Sequence, residues 1–187
     1  MKREIRKYGD PVLREKSHAI AHVDAGIRAL ATDMIETMKS AEGVGLAAQQ
    51  IGETRAICVI GLPPDLDQNE AGERLHPHLE MPMVLINPHV TETSKQTGVH
   101  EEGCLSFPNI RANITRPVEI TIKFTGLDGK NRTEKLRDFA ARAVQHEVDH
   151  LNGILFIDKM SPAKKFALKR KISTLRAETE EELGITR

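Results

Sequence analysis

Tryptophan is absent, tyrosine occurs once and aromatic side chains make up only 3% of the 187 residues, so any core this chain builds has to be mostly aliphatic. Cysteine is scarce too. Cys58 and Cys104 do not make a disulfide framework, which leaves the cytosol as the default compartment. No stretch approaches the roughly 20 apolar residues of a membrane span. The opening MKREIRKYGDPVLREK is charged throughout and lacks the apolar stretch of a secretory signal. A surplus of charge is missing as well, because 27 basic residues balance 27 acidic ones. Neither nucleic acid nor a membrane is therefore indicated as the main partner. These absences predict a cytoplasmic protein, unless an organelle-targeting segment has been removed.

What is present suffices for one domain, 1–187, with a full core and no need of staples. Residues 1–23 read as a turn-rich lead-in broken at Gly9, Asp10 and Pro11. Asp24 can cap a helix running to about Lys39, since Ile27, Leu30, Ala31, Met34, Ile35 and Met38 recur at three and four; that stripe is core filler. In GVGLAAQQIG, residues 43–52, small side chains let backbone approach something closely. The Lys-Ser or Lys-Thr pair of a phosphate cradle is missing, so a wall along a substrate groove fits better. Residues 55–61 read as a buried strand with Cys58 inside it. Residues 62–82, with four prolines, read as a long exposed loop whose His76 and His78 are bystanders.

Short strands are expected at 83–87 and 90–95, around Pro88, followed by a short constrained segment at 101–108. Residues 118–125 alternate at period two, 127–130 turn, and 131–137 return as the second arm of a hairpin. Ser161-Pro162 opens a C-terminal helix, about 162–183, which Gly184 stops; Phe166, Leu168, Ile172 and Leu175 are its apolar positions. Its first half holds Lys164, Lys165, Lys169, Arg170, Lys171 and Arg176, and Glu178, Glu180, Glu181 and Glu182 crowd its end. That order opposes the helix dipole, so beside the ordinary reading as a solvated face stands a polyanionic partner for the basic half.

The chain is organised around residues 138–152, DFAARAVQHEVDHLN. At about 100° per residue, with His146 at zero, Phe139 falls near 20°, His150 near 40°, Ala143 near 60° and Glu147 near 100°. Two histidines and a glutamate thus share the apolar arc. Gln145, Asp149 and Asn152 fall on the other side and are expected to face outward. Burying ionisable groups unpaired costs several kcal/mol, so something inside must satisfy them. The plain reading is hydrogen-bonded core histidines. The alternative is a metal ion, because histidines at i and i+4 aim two nitrogens at one cation and a glutamate one residue along can take a proton from metal-activated water. A tetrahedral site needs a third ligand. Asp158 and the last helix's glutamates are the acidic candidates downstream, while Cys104 lies upstream; a thiolate with two imidazoles leans the choice toward iron or zinc. The architecture expected is α+β: a single domain of antiparallel strands wrapped around a central metal-binding helix, with a C-terminal helix.

Three stretches, GVGLAAQQ at 43–50, EGCLS at 102–106 and QHEVDHLNG at 145–153, together resemble peptide deformylase in sequence, order and spacing. The resemblance extends from about residue 5 to 160. It implies hydrolysis of the formyl group from formylmethionyl N-termini of nascent peptides, with release of formate. It further implies that Cys104, His146 and His150 bind Fe²⁺, replaceable by Zn²⁺, Ni²⁺ or Co²⁺. Glu147 is the implied base, and the Gln50 side-chain amide and Leu105 backbone N–H the implied oxyanion donors. The substrate backbone would add as a strand along Val44, Gly45 and Gly103, its methionine side chain in a pocket for which Val44, Phe139 and Ala143 are candidates.

Bacterial members are expected to approach the ribosome through the C-terminal helix, and its basic half is compatible with that; sequence-specific nucleic-acid binding is not expected. Arg142 can pair with Glu102 or Asp149, and Arg111 and Arg116 likewise, though generic surface ion pairs are the first expectation for all three. Two other functions use the same residues. A zinc endopeptidase would leave Cys104 off the metal, and a binding module would keep the fold without turnover.

Overall fold

The Asp24 carboxylate accepts from the Ile27 N–H at 2.9 Å and starts α1 (Ala25–Ser40) where the capping residue predicts it. In the computed structural model, which describes residues 1–185, the chain then forms β1 (Gly45–Ala47), β2 (Ile57–Ile60) and β3 (Met83–Thr93). After these come β4 (Thr97–Gly103), β5 (Arg111–Pro117), β6 (Glu119–Thr125), β7 (Asn131–Arg137), α2 (Asp138–Leu151) and α3 (Pro162–Glu182). Five strands make an antiparallel sheet in the order β1-β2-β3-β6-β7, and β4 and β5 pair only with each other.

Side chains alternate across the sheet, and each face receives one helix. Ala47, Cys58, Ile60 and Leu85 pack with Ala140, Ala143, Val144 and Leu151 of α2. Their neighbours Leu46, Ile57, Val59 and Ile86 pack with Ile27, Leu30, Met34 and Met38 of α1. A third core joins Phe107, Ile110 and Ile114 of the β4–β5 region to Leu155, Phe156, Ile172 and Leu175. All three are aliphatic apart from a few phenylalanines, as the composition requires. Among the described residues, no helix is long and apolar enough to cross a membrane.

Several boundaries and environments differ from the sequence reading. The two short strands around Pro88 are one strand, β3, whose pairing with β6 shifts register between Ile86 and His89 and again between Val90 and Glu92. Bulges let a strand absorb a proline without ending it. β4 and β5 are strands that the sequence reading does not name: glycines and charges at 97–103 hide β4, whereas β5 does alternate at period two. The 62–82 segment is mostly exposed, as expected, but it is anchored by four buried residues, Leu62, Asp67, His76 and Leu79, and Pro64–Asp67 form a short 3-10 turn. His76 is tied down from both sides. Its Nε2 accepts from the Arg137 backbone N–H at 3.2 Å, so Nδ1 carries the proton donated to Asp67 Oδ1 at 2.5 Å. His78 stays exposed and meets Glu134 at 3.1 Å. On α3, Ile172 and Leu175 are buried as expected, but Phe166 is 79% exposed.

The strand-to-helix junction that delivers α2 is abrupt. Asp138 adopts φ +52°, and its N–H bonds to Val118 O at 2.8 Å, so the chain turns from β7 into the helix without a linker. Aspartate tolerates this left-handed conformation better than most residues.

Candidate metal centre and active site

The three motifs meet at one place. β1 and the 3-10 turn Ala48–Ile51 carry the first, the end of β4 the second and α2 the third. A ligand atom from each of Cys104, His146 and His150 lies within 4.8 Å of the other two, and Cys104 Sγ stands 3.3 Å from His150 Nε2. Of the candidate third residues, the upstream cysteine and not Asp158 therefore lies beside the two histidines. Asp158 is occupied elsewhere, in an ion pair with Arg14 and a bond from Leu155 N.

The donors fit a divalent ion. Glu102 Oε2 lies 3.0 Å from His146 Nδ1; a carboxylate only accepts, so Nδ1 holds the proton and Nε2 keeps its lone pair for a cation. Burial opposes charge on His146, but hydrogen bonds with Cys104 and Glu102 outweigh it and lift its pKa to about 10. In His150, burial and the neighbouring His146 charge push the pKa well below the ordinary range, favouring the neutral ring that ligates metal. Thiolate and imidazoles suit iron or zinc, not magnesium or calcium.

Glu147 is buried beside this cluster, and its Oε2 has no partner among the described residues. Burial raises its pKa to about 7, against the opposing charges of His146 and Arg116. The carboxylate presses directly on β1. A Cβ at Gly45 would stand 2.9 Å from Glu147 Cδ, closer than carbon atoms approach, so only glycine fits. Gln50 is equally fixed. Its Oε1 accepts from the Ala47 N–H at 2.8 Å, which turns Nε2 toward Ser106 Oγ at 3.3 Å and Cys104 Sγ at 3.5 Å.

A cleft of about 510 Å³ opens onto these groups. Val44, Gly45, Gln50, Gly103, Cys104, Leu105, Phe139, Ala143, His146 and Glu147 all line it. His150 lies behind that wall, 1% exposed. Every residue singled out from the sequence for the site thus falls at the cleft or directly behind it.

Beneath the site lies the pairing of Arg142 and Arg116 with Glu102 and Asp149 that the sequence offered as the second expectation, but buried and joined to His146. Glu102 accepts from Arg116 Nε at 2.6 Å and Nη2 at 2.9 Å, and from Arg142 Nη1 at 2.6 Å, as well as facing His146. Burial alone would raise its pKa, but His146 and Arg116 hold it well below the carboxylate range. Arg116 also reaches Asp149 Oδ2 at 2.6 Å. Arg116 and Arg142 are therefore buried, not surface partners, and Asp149 faces this network where solvent was expected. Arg111 alone behaves as a generic surface pair, 3.9 Å from Glu101. A signal existed for Arg116: it continues the buried positions Ala112 and Ile114 at period two along β5.

A family model for polypeptide deformylase matches residues 2–166. The chain is 42% identical over 180 residues to a peptide deformylase of Opitutus terrae, covering 94% of this chain and 93% of that one. It is 43% identical over 164 residues to one from Agrobacterium fabrum, covering 88% and 90%. A plant peptide deformylase PDF1B crystal structure superposes with TM-score 0.85 at 33% identity, covering 97% of this chain and 93% of that one. The peptide deformylase of Ehrlichia chaffeensis does so with TM-score 0.83 at 32% identity, over 98% and 99%.

Proposed function

This chain belongs to the peptide deformylase family, metal-dependent hydrolases that remove the formyl group from formylmethionyl peptides, and from that premise we propose which of its residues hold the metal and perform the chemistry. Cys104, His146 and His150 are the ligands, and the whole of 1–187 is one catalytic domain. Fe²⁺ is the native ion, with Zn²⁺, Ni²⁺ or Co²⁺ able to replace it. The convergence of one sulfur and two ring nitrogens within 4.8 Å, from separate elements, is the observation that carries this reading. It also weighs against an endopeptidase that leaves the cysteine free.

When bound, the divalent cation supplies Lewis acidity, lowering the pKa of water toward neutrality and sharing charge that develops on oxygen. Glu147 takes the proton of the attacking water as its oxygen bonds to the formyl carbon. The negative charge then gathering on the former carbonyl oxygen is met by the Gln50 amide N–H and the Leu105 backbone N–H. Gln50 needs no reorientation, because Ala47 already holds its amide turned. The carbon–nitrogen bond breaks as Glu147 passes its proton to the leaving amine, giving formate and a free methionyl N-terminus. Val44, Gly45 and Gly103 pair with the peptide backbone, and Val44, Phe139 and Ala143 receive the methionine side chain. Main-chain pairing makes the enzyme tolerant of varied residues after the methionine.

The exposed basic half of α3, from Lys164 to Lys171, suits contact with the ribosome at the peptide exit, and such substrates imply a cytoplasmic site of action. Formate release measured on formyl-Met and acetyl-Met peptides tests the activity. Equal rates, or internal cleavage alone, reject it. For the residues, E147Q is expected to retain metal and lose turnover, and unchanged turnover removes Glu147 as the base. Anaerobic metal analysis with activity on the same sample decides the ion.

A further inference from the structure

Cys104 and the two histidines sit on parts of the fold that share no strand pairing. The cysteine follows β4, whose hairpin with β5 is separate from the five-stranded sheet against which α2 packs. The hairpin joins the rest of the chain at residues 94–96 and at Val118, both at the Thr97↔Pro117 end of its ladder. Cys104 lies beyond the other end, past Gly103↔Arg111. Six strand residues at about 3.3 Å each make a lever of roughly 20 Å. A slip of about 3° at the base of such a lever moves its tip by about 1 Å. Strand pairing therefore leaves the tip to one backbone bond, from Tyr8 N–H to Ser106 O at 2.9 Å, to the Gln50 amide beside Cys104, and to the side chains that join hairpin and helix.

Among those side chains the contacts divide by what they join. Arg116 and Glu102 pair across β5 and β4, which closes the hairpin on itself. Phe107 and Ile110 seat the tip on Phe156 and Ile157, which come after α2. Arg142 is different. It stands one helical turn before His146, and all its acceptors are on the hairpin: Glu102 Oε1 at 2.6 Å, Gly98 O at 2.7 Å and Ile114 O at 3.0 Å. One planar fork thus grips β4 near the base, β4 near the tip and β5 between them, while 6% exposed. Arg116 to Asp149, Gln145 to Pro117 O and His146 Nδ1 to Glu102 Oε2 cross the same joint, each with one bond.

We propose that Arg142 is the positioning residue that locks the cysteine-bearing hairpin onto the histidine-bearing helix, so that it governs metal affinity and cleft geometry without touching the reacting atoms. This rests on Cys104, His146 and His150 being the ligand set. The test uses Co²⁺ as the probe, because a thiolate bound to cobalt gives a sulfur-to-metal charge-transfer absorption. Wild type, R142M, R142K and the exposed-pair control R132M are titrated with Co²⁺ against a competing chelator, and amide hydrogen exchange is tracked on the same samples. R142M is expected to bind Co²⁺ about 10- to 100-fold more weakly, with a shifted charge-transfer band. Exchange should quicken in 97–103 and 111–117 while β1 to β3 keep their protection. R142K, whose ammonium cannot span three acceptors at once, falls between; R132M matches wild type.

A wild-type protein without the charge-transfer band overturns the ligand set itself. A wild-type band with R142M binding Co²⁺ within twofold, and hairpin exchange unchanged, overturns the positioning role alone. Should R142M not fold, R142K decides, since wild-type affinity and band in that variant contradict the proposal.

Discussion

Substituting Gly45 by alanine adds one methyl group at the point where β1 meets the catalytic carboxylate. The new Cβ would lie 2.9 Å from both Cγ and Cδ of Glu147 and collide with Oε1. Carbon atoms rest at about 3.5–4.0 Å, so something must move by roughly 0.5–1 Å. Glu147 is held by a buried helix, and β1 is held through Gly45↔Ile60 and its neighbours in the ladder. Overpacking of this kind costs about 1–3 kcal/mol, a fall in Tm of roughly 3–10 °C for a chain of this size. The catalytic loss is expected to be larger than the stability loss suggests. A displacement near 1 Å between reacting groups costs about 10²-fold, so kcat should drop by one to two orders of magnitude. Steady-state formate release from a formyl-Met peptide, paired with a thermal melt, measures both. G26A, exposed in the first turn of α1 and outside the cleft lining, is the comparison, and its kcat should survive. A G45A enzyme with kcat within threefold of wild type would falsify the claim that this glycine exists to admit Glu147.

The remaining predictions address the amide, the buried charges, acid stability and the metal. Gln50→Ala removes an oxyanion donor worth about 3 kcal/mol, so kcat should fall about 10²-fold with KM little changed, and a pure KM effect would contradict the assignment. Arg116→Met leaves Glu102 with Arg142 and His146 only and Asp149 with Lys159 only, and should cost about 3 kcal/mol in urea denaturation, the low end for a broken buried pair; a loss under about 1 kcal/mol would mean water replaces the guanidinium. Burial opposes charge on Asp158, but Arg14 outweighs it and holds the carboxyl below its usual range. The folded pKa being depressed, its stabilisation is present above the unfolded value near 3.9 and is lost as pH falls through the folded one. The stability gap between wild type and D158N should therefore narrow between about pH 5 and the acid limit, and a constant gap contradicts the pairing. Removing metal with a chelator should lower Tm by the equivalent of about 2.7 kcal/mol or more when metal was present at 100 times its Kd, and restoring Fe²⁺ anaerobically should recover it.

Three members of the proposed site, two histidines and a glutamate, were legible because their chemistry is written in local spacing, whereas Cys104 was singled out only by the resemblance. His146, Glu147 and His150 fall on one arc of one helix, and a helix's angular period is fixed by backbone geometry alone. Glycines 43 and 45 announce close approach for the same local reason. Asp67 and His76 were not legible, since a prolines-and-charges segment reads as solvent-facing until its partners on β7 are known. Phe166 errs the other way: the 3.6 period nominates it for the core, yet α3 packs only through later positions such as Ile172 and Leu175, and nothing covers the first turn among the described residues. Burial is a tertiary property, and periodicity supplies only the face that could be buried.

Arg116, Arg142 and Asp149 illustrate the harder limit. Each looks like a surface charge in sequence, because isolated charges are costly inside and are rarely placed there. What makes their burial tolerable is mutual. Glu102 accepts four hydrogen bonds from three residues on β5 and α2, and Arg116 shares itself between Glu102 and Asp149. Removing any one leaves the others short of a partner in a region with little water, so the group is complete only when the hairpin and the helix are docked. Docking and ion pairing therefore depend on one another, and neither is visible in a stretch read alone. The same dependence bears on the proposed metal donors, which come from two parts that share no strand pairing. A thiolate and two imidazoles fixed on one rigid element would need no buried charge network, whereas a thiolate on a lever must be clamped, and the clamp's carboxylate is the group that orients His146.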